Sequence, residues 1–143
     1  MNKKIRKELV RSKISKILDT LEFIESNFPE HFEEFKHSRI LRDAIYKEIE
    51  FCIELVLDVL SIINKDLKLG IPEAEDDMIN NLEKNRVLSR KTMSLLREIK
   101  KFRNILVHRY GEINDEQAYE TIKDGLDDFS NITEEIERFL KKN

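Results

Sequence analysis

Arg103 and His108 stand five positions apart in a run that also holds Asn104 and Tyr110. Together these side chains have the chemistry to cut RNA without a metal ion. A histidine can take the proton of a ribose 2′-hydroxyl or return one to the leaving oxygen. A guanidinium can grip a phosphate through two parallel hydrogen bonds and offset the charge that develops as the bond breaks. Asn104 could orient the histidine or bind phosphate, and Tyr110 could stack a base or position the site. An arginine and a histidine at this spacing also occur in helices that do nothing of the kind, so the surrounding elements must decide.

Those elements read as helices. The 143 residues include only three glycines and two prolines, while 38% are charged, a poor composition for a turn-rich sheet. Ile5, Leu9, Ile14, Ile17, Leu21, Ile24 and Phe28 recur at helical spacing, predicting a first helix from about Lys3 to Asn27 that Pro29 ends. A short turn around Glu30 to Phe35 follows. The stretch from Ser38 to Leu69 is apolar nearly all round in its middle, as expected of a central helix. Gly70 suits its C-cap, and Pro72 the first position of a shorter helix through Met78 and Leu82 that ends near Asn85. Ser89 is an N-cap residue for a helix reaching about Arg109. Asn114 followed by Gln117 opens a last helix that ends near Leu140. The expectation is one all-α domain over residues 1–143, an antiparallel bundle of four main helices plus short ones.

On the helix from Ser89, Leu95, Ile99, Phe102 and Leu106 fall within about 60° of one another and are expected to face the core. Leu96, Arg103 and Val107 form an adjoining stripe that a second protomer could cover. Arg103 and His108 point about 140° apart on a regular helix. They can converge through the long arginine arm, through distortion near Gly111, or by meeting the same residues of a second copy. The last route predicts a homodimer with one cleft lined by two arginines and two histidines.

Net charge is −3 and the sequence pI about 5.7, but charge is unevenly spread. Lys84 to Arg109 carries nine basic residues and one acid, whereas Glu112 to the end carries ten acids and four bases. A second basic run lies between Met1 and Lys16. A local field of this kind steers a polyanion better than net charge does, and Arg97, Lys100, Lys101 and Arg109 are the candidate RNA contacts. The three histidines are scattered and Cys52 stands alone in an apolar run. No metal or other cofactor is expected, and Cys52 reads as a small buried hydrophobe. No signal peptide or membrane span is read, so the expected location is the cytoplasm.

The string Phe102-Arg103-Asn104-Ile105-Leu106-Val107-His108-Arg109-Tyr110 resembles the HEPN superfamily signature Arg-x4-His, in the extended Arg-x4-His-x-Tyr form of HepT-like toxins. The likeness extends along most of the chain. Arg42-Asp43-Ala44-Ile45 with the apolar helix after it is similar to that family's central helix, and Leu69-Gly70-Ile71-Pro72-Glu73 to its loop. The resemblance implies a homodimeric bundle with a ribonuclease cleft at the dimer interface, Arg103 and His108 as catalytic pair, and Asn104 and Tyr110 in support. It also implies a partner, a minimal nucleotidyltransferase antitoxin of the MntA type, which attaches AMP units to the motif tyrosine, here Tyr110. A bulky anionic group at the cleft would repel RNA and occupy its phosphate site. The RNA would be tRNA or mRNA. The alternative is a non-catalytic helical module that docks with the nucleotidyltransferase and presents a substrate to it.

Overall fold

In the computed structural model, which describes residues 4–143, six α-helices and one 3-10 turn account for the regular structure. α1 spans Lys7–Asn27, α2 Phe32–His37, α3 Arg39–Asp66, α4 Glu75–Lys84, α5 Arg90–His108 and α6 Asp115–Lys142, with the turn at Tyr110–Glu112 between the last two. Among the described residues there is no strand, and no helix is long and apolar enough to cross a membrane. The expected bundle is therefore the observed one, four long helices with two short ones. The first helix starts at Lys7; Lys3, its expected start, lies outside the described residues.

α3 is the hub. It packs against α1, α2, α4 and α5, while α6 is held by α1 and α2. This follows from its sequence: Cys52, Ile53, Leu55, Val56, Leu57, Val59 and Leu60 are all buried, so the helix needs neighbours around most of its circumference. Burial pushes the Cys52 thiol up to about 12, with Glu48 adding to the effect, which fits the reading of this residue as an inert core group.

Two corrections concern the ends of α3 and α4. α3 closes in a Schellman arrangement in which Lys68, not Gly70, adopts the left-handed backbone (φ +56°). The Leu69 N–H donates to the Asn64 carbonyl and the Lys68 N–H to that of Lys65. Gly70, at φ +125°, turns the chain afterwards, and its carbonyl accepts from the buried Asn64 side chain at 2.9 Å. Pro72 lies before α4 and does not open it. Ala74 is the N-cap, and the Asp77 carboxylate accepts from the N–H groups of Glu73 and Ala74. By contrast, Ser89 and Asn114 cap α5 and α6 as expected, accepting from the N–H groups of Thr92 and Gln117 at 3.2 and 3.0 Å.

The core stripe of α5 also differs from expectation. Met93, Leu96, Arg103 and Leu106 are its buried residues, whereas Leu95, Ile99 and Phe102 are only half-buried. The cause is a groove of about 440 Å³ between α5 and α6, floored by Ile49 and Ile53 of α3, into which those three side chains project. α5 is thus fixed through α3 and α4. Leu82 of α4 is fully buried in that packing, so Leu82→Ala is expected to cost about 2–5 kcal/mol of stability, measurable as a lower urea midpoint with an unchanged slope.

Candidate active site

α3 and α5 run antiparallel, which sets three opposed pairs along the site. Glu54 meets Arg103, Glu50 and Tyr46 share a cleft with Leu106, and Asp43 meets Tyr110. Arg103 and Tyr110 of the motif are therefore each met by a carboxylate of α3.

Arg103 is 9% exposed, a guanidinium brought almost completely into the fold. Its Nη1 donates to Glu54 at 2.6 Å, its Nη2 donates to Glu75, and its Nε donates to the Asn104 side chain at 2.9 Å. Burial alone would lower the guanidinium's pKa, but the hydrogen bonds and charges of the two carboxylates reverse that and raise it. A buried charge needs such partners, since taking an ion out of water costs several kcal/mol. Glu75 is the first residue of α4, where a carboxylate also meets the positive end of the helix dipole. Three of the five guanidinium N–H groups are engaged in this way, leaving one on each terminal nitrogen. The cover over Arg103 within the chain thus comes from α3 and α4.

His108 is the last residue of α5 and is exposed. α5 is regular to that point, without the distortion near Gly111 that could have rotated it toward Arg103. The structure therefore leaves the two motif residues on different faces of the helix, one turned inward and one facing solvent. Asn104 is spent on Arg103 and does not contact the histidine.

Arg109 leaves the helical backbone at φ −132°, and the 3-10 turn then carries Tyr110 back over α3. The Tyr110 ring meets that of Tyr46 edge-on, with centroids 6.2 Å apart and planes at 88°. Its hydroxyl donates to Asp43. That hydrogen bond, with burial and the Asp43 charge behind it, raises the phenol above its ordinary pKa against the opposing pull of Arg39 and Arg42. Tyr46 is itself buried and donates to Asp115 at the start of α6 at 2.6 Å.

The candidate RNA contacts fare unevenly. Arg97 pairs with Glu83 at 2.6 Å and Lys100 with Asp76 at 2.7 Å, so α4 neutralises that side of α5. Lys101 lies near Glu98 of its own helix. Arg109 is exposed beside His108 and makes no ion pair among the described residues. Among those residues, too, no group of three or more His, Cys, Asp or Glu side chains could hold a metal ion.

Residues 17–136 match the ribonuclease HepT-like family. The chain belongs to that family. An mRNA nuclease HepT of Shewanella oneidensis is 26% identical over 129 residues, covering 90% of this chain and 96% of its own. A solved tri-AMPylated HEPN toxin of the same organism, in complex with an MNT antitoxin, superposes with a TM-score of 0.84. It is 25% identical, and the match covers 96% of this chain and 99% of that one. The cytosolic protein YutE of Bacillus subtilis, of unknown function, shares the fold at a TM-score of 0.81 with 18% identity, over 96% of this chain and 92% of its own.

Sequence reasoning found the α5 members of the site and missed their α3 and α4 partners. Glu54 did leave a signal, as a carboxylate interrupting the most apolar stretch of the chain. Glu75 and Tyr46 left none. Glu54→Ala and Glu75→Ala should each destabilise the fold by about 1–2 kcal/mol. That is below the 3–5 kcal/mol of a fully buried pair, because the two carboxylates remain 44% and 38% exposed. Because both act on one guanidinium, a double-mutant cycle by urea unfolding should show them to be coupled; additive effects would contradict the shared cage.

Proposed function

We propose that this protein is a metal-independent endoribonuclease toxin that works as a homodimer and is silenced by AMP addition to Tyr110 by a cognate minimal nucleotidyltransferase antitoxin. The observation that carries the reading is the disposition of the motif. Arg103 is locked inward, His108 is presented to solvent at the end of the same helix, and no bend in the helix joins them. A second copy of the chain is the simple way to bring a histidine and an arginine to one phosphate. Exposed apolar side chains flank the place where it would dock. Phe51 lies beside Glu54 on α3 and Val107 beside His108 on α5, and they are 46% and 44% exposed.

In the composite cleft His108 takes the 2′-hydroxyl proton or protonates the leaving oxygen, and no metal is required for either step. Arg103, through its two uncommitted N–H groups, stabilises the charge on the phosphate. Asn104 fixes the guanidinium, and Arg109, exposed beside the histidine, meets the RNA backbone. The paired Arg97, Lys100 and Lys101 contribute to the field around the cleft. The substrate is mRNA or tRNA; the name of the Shewanella oneidensis relative favours mRNA. The tri-AMPylated state and the MNT antitoxin of the solved toxin support the assignment of Tyr110 as acceptor, whose hydroxyl sits on a residue that is 46% exposed.

The purified protein should degrade total mRNA or tRNA in EDTA. The Arg103→Ala, His108→Ala double variant should be slower by on the order of a hundredfold or more. Equal survival of RNA with wild type and variant would remove the ribonuclease assignment.

A further inference from the structure

The hydroxyl of Tyr110 belongs to a residue that is 46% exposed, yet it is held by a carboxylate. It donates to Asp43, which sits one turn into α3, and the ring is fixed from the side by Tyr46. Of the carboxylates nearby, Asp115 is already committed, accepting the Tyr46 hydroxyl at 2.6 Å and pairing with Arg42 at 3.6 Å. Asp43 is thus the acceptor placed on the phenol itself.

Of the three cations near that hydroxyl, Lys47 is already paired with Glu50 at 2.7 Å, and Arg39 and Arg42 differ in the same way. Arg42 donates to the backbone carbonyl of Lys36 at 2.8 Å and pairs with Asp115, so its guanidinium is tied into the α2–α3 corner. Arg39 touches Asp43 only loosely, at 3.5 Å, with a side chain 81% exposed. Beside Tyr110 an open cleft of about 310 Å³, lined by Asp43, Tyr46, Lys47 and Glu50, leaves room for an added group.

We infer that Asp43 is the base that takes the phenolic proton when AMP is attached to Tyr110, and that Arg39 is the cation that receives the new phosphodiester. The inference rests on the reading of Tyr110 as the acceptor. A phenol protonated at neutral pH is a weak nucleophile, and attack requires somewhere for its proton to go as the new bond forms. The Tyr110 oxygen attacks the α-phosphorus of ATP, and the bond from that phosphorus to the bridging oxygen breaks. Pyrophosphate leaves with that electron pair, and the phenolic proton passes to the Asp43 carboxylate. Charge is matched throughout. Arg39 begins as the counter-ion of Asp43, loses it when Asp43 is protonated, and faces one negative charge on the new diester. The proton then returns from Asp43 to water.

The test uses full-length toxin, its cognate nucleotidyltransferase, ATP and Mg²⁺, with AMP incorporation followed by intact-protein mass spectrometry. Asp43→Asn keeps an oxygen to accept from the phenol but cannot take its proton. Its kcat for AMP addition should fall on the order of a hundredfold, with KM for ATP and binding to the nucleotidyltransferase unchanged. Asp43→Glu, which keeps a carboxylate, should recover part of the rate, and Arg39→Gln should slow transfer by about tenfold. Asp43→Asn modified at the wild-type rate would overturn the inference, as would a variant that loses complex formation instead of rate. Wild type that takes up no AMP would remove the acceptor reading itself, a failure visible before any variant is compared.

Discussion

The Arg103 guanidinium, closed between carboxylates from two other helices, is the constraint on which the site depends. An arginine this deeply buried is stabilised by both Glu54 and Glu75, and each carboxylate ties a helix to it. Glu54 fixes the register of α3 against α5, which also sets Tyr46 beside Tyr110 and Asp43 on its hydroxyl. Glu75 fixes the first turn of α4, whose remaining residues pack through Met78, Ile79 and Leu82. One charged side chain therefore orders the positions of three helices, and the ends of the motif inherit their places from it.

The same cage explains how an acidic protein can carry a basic helix without presenting a uniformly basic surface. α4 brings Glu75, Asp76 and Glu83 onto Arg103, Lys100 and Arg97. Arg90 and Lys91 at the start of α5, like Arg109 just after its end, make no ion pair among the described residues. Unpaired positive charge thus stands at both ends of the helix, and the end that carries the motif presents it beside His108.

Much of this was legible from sequence because it is encoded locally. The caps at Ser89 and Asn114, the break at Pro29 and the all-round apolar face of α3 each depend on a few adjacent residues. The α5 half of the site was legible for the same reason. The α3 and α4 half was not, since nothing near Glu75 or Tyr46 records that Arg103 or Tyr110 will fold onto them. The α5 stripe was misjudged by a similar gap: periodicity fixes which residues share a face, not whether α6 closes over it or leaves a groove. At Lys68 the local preference for glycine yielded to hydrogen bonding, because the Schellman bonds place the left-handed residue two positions before Gly70.

In the proposed dimer, one chain supplies the arginine and the other the histidine of each working cleft. Arg103→Ala and His108→Ala proteins, each inactive alone, can be unfolded together, refolded and assayed for RNA cleavage in EDTA. The mixture should regain a substantial fraction of wild-type activity, because mixed dimers carry one intact arginine and histidine across the interface. A mixture as inactive as its parents, while shown to contain mixed dimers, would contradict that arrangement.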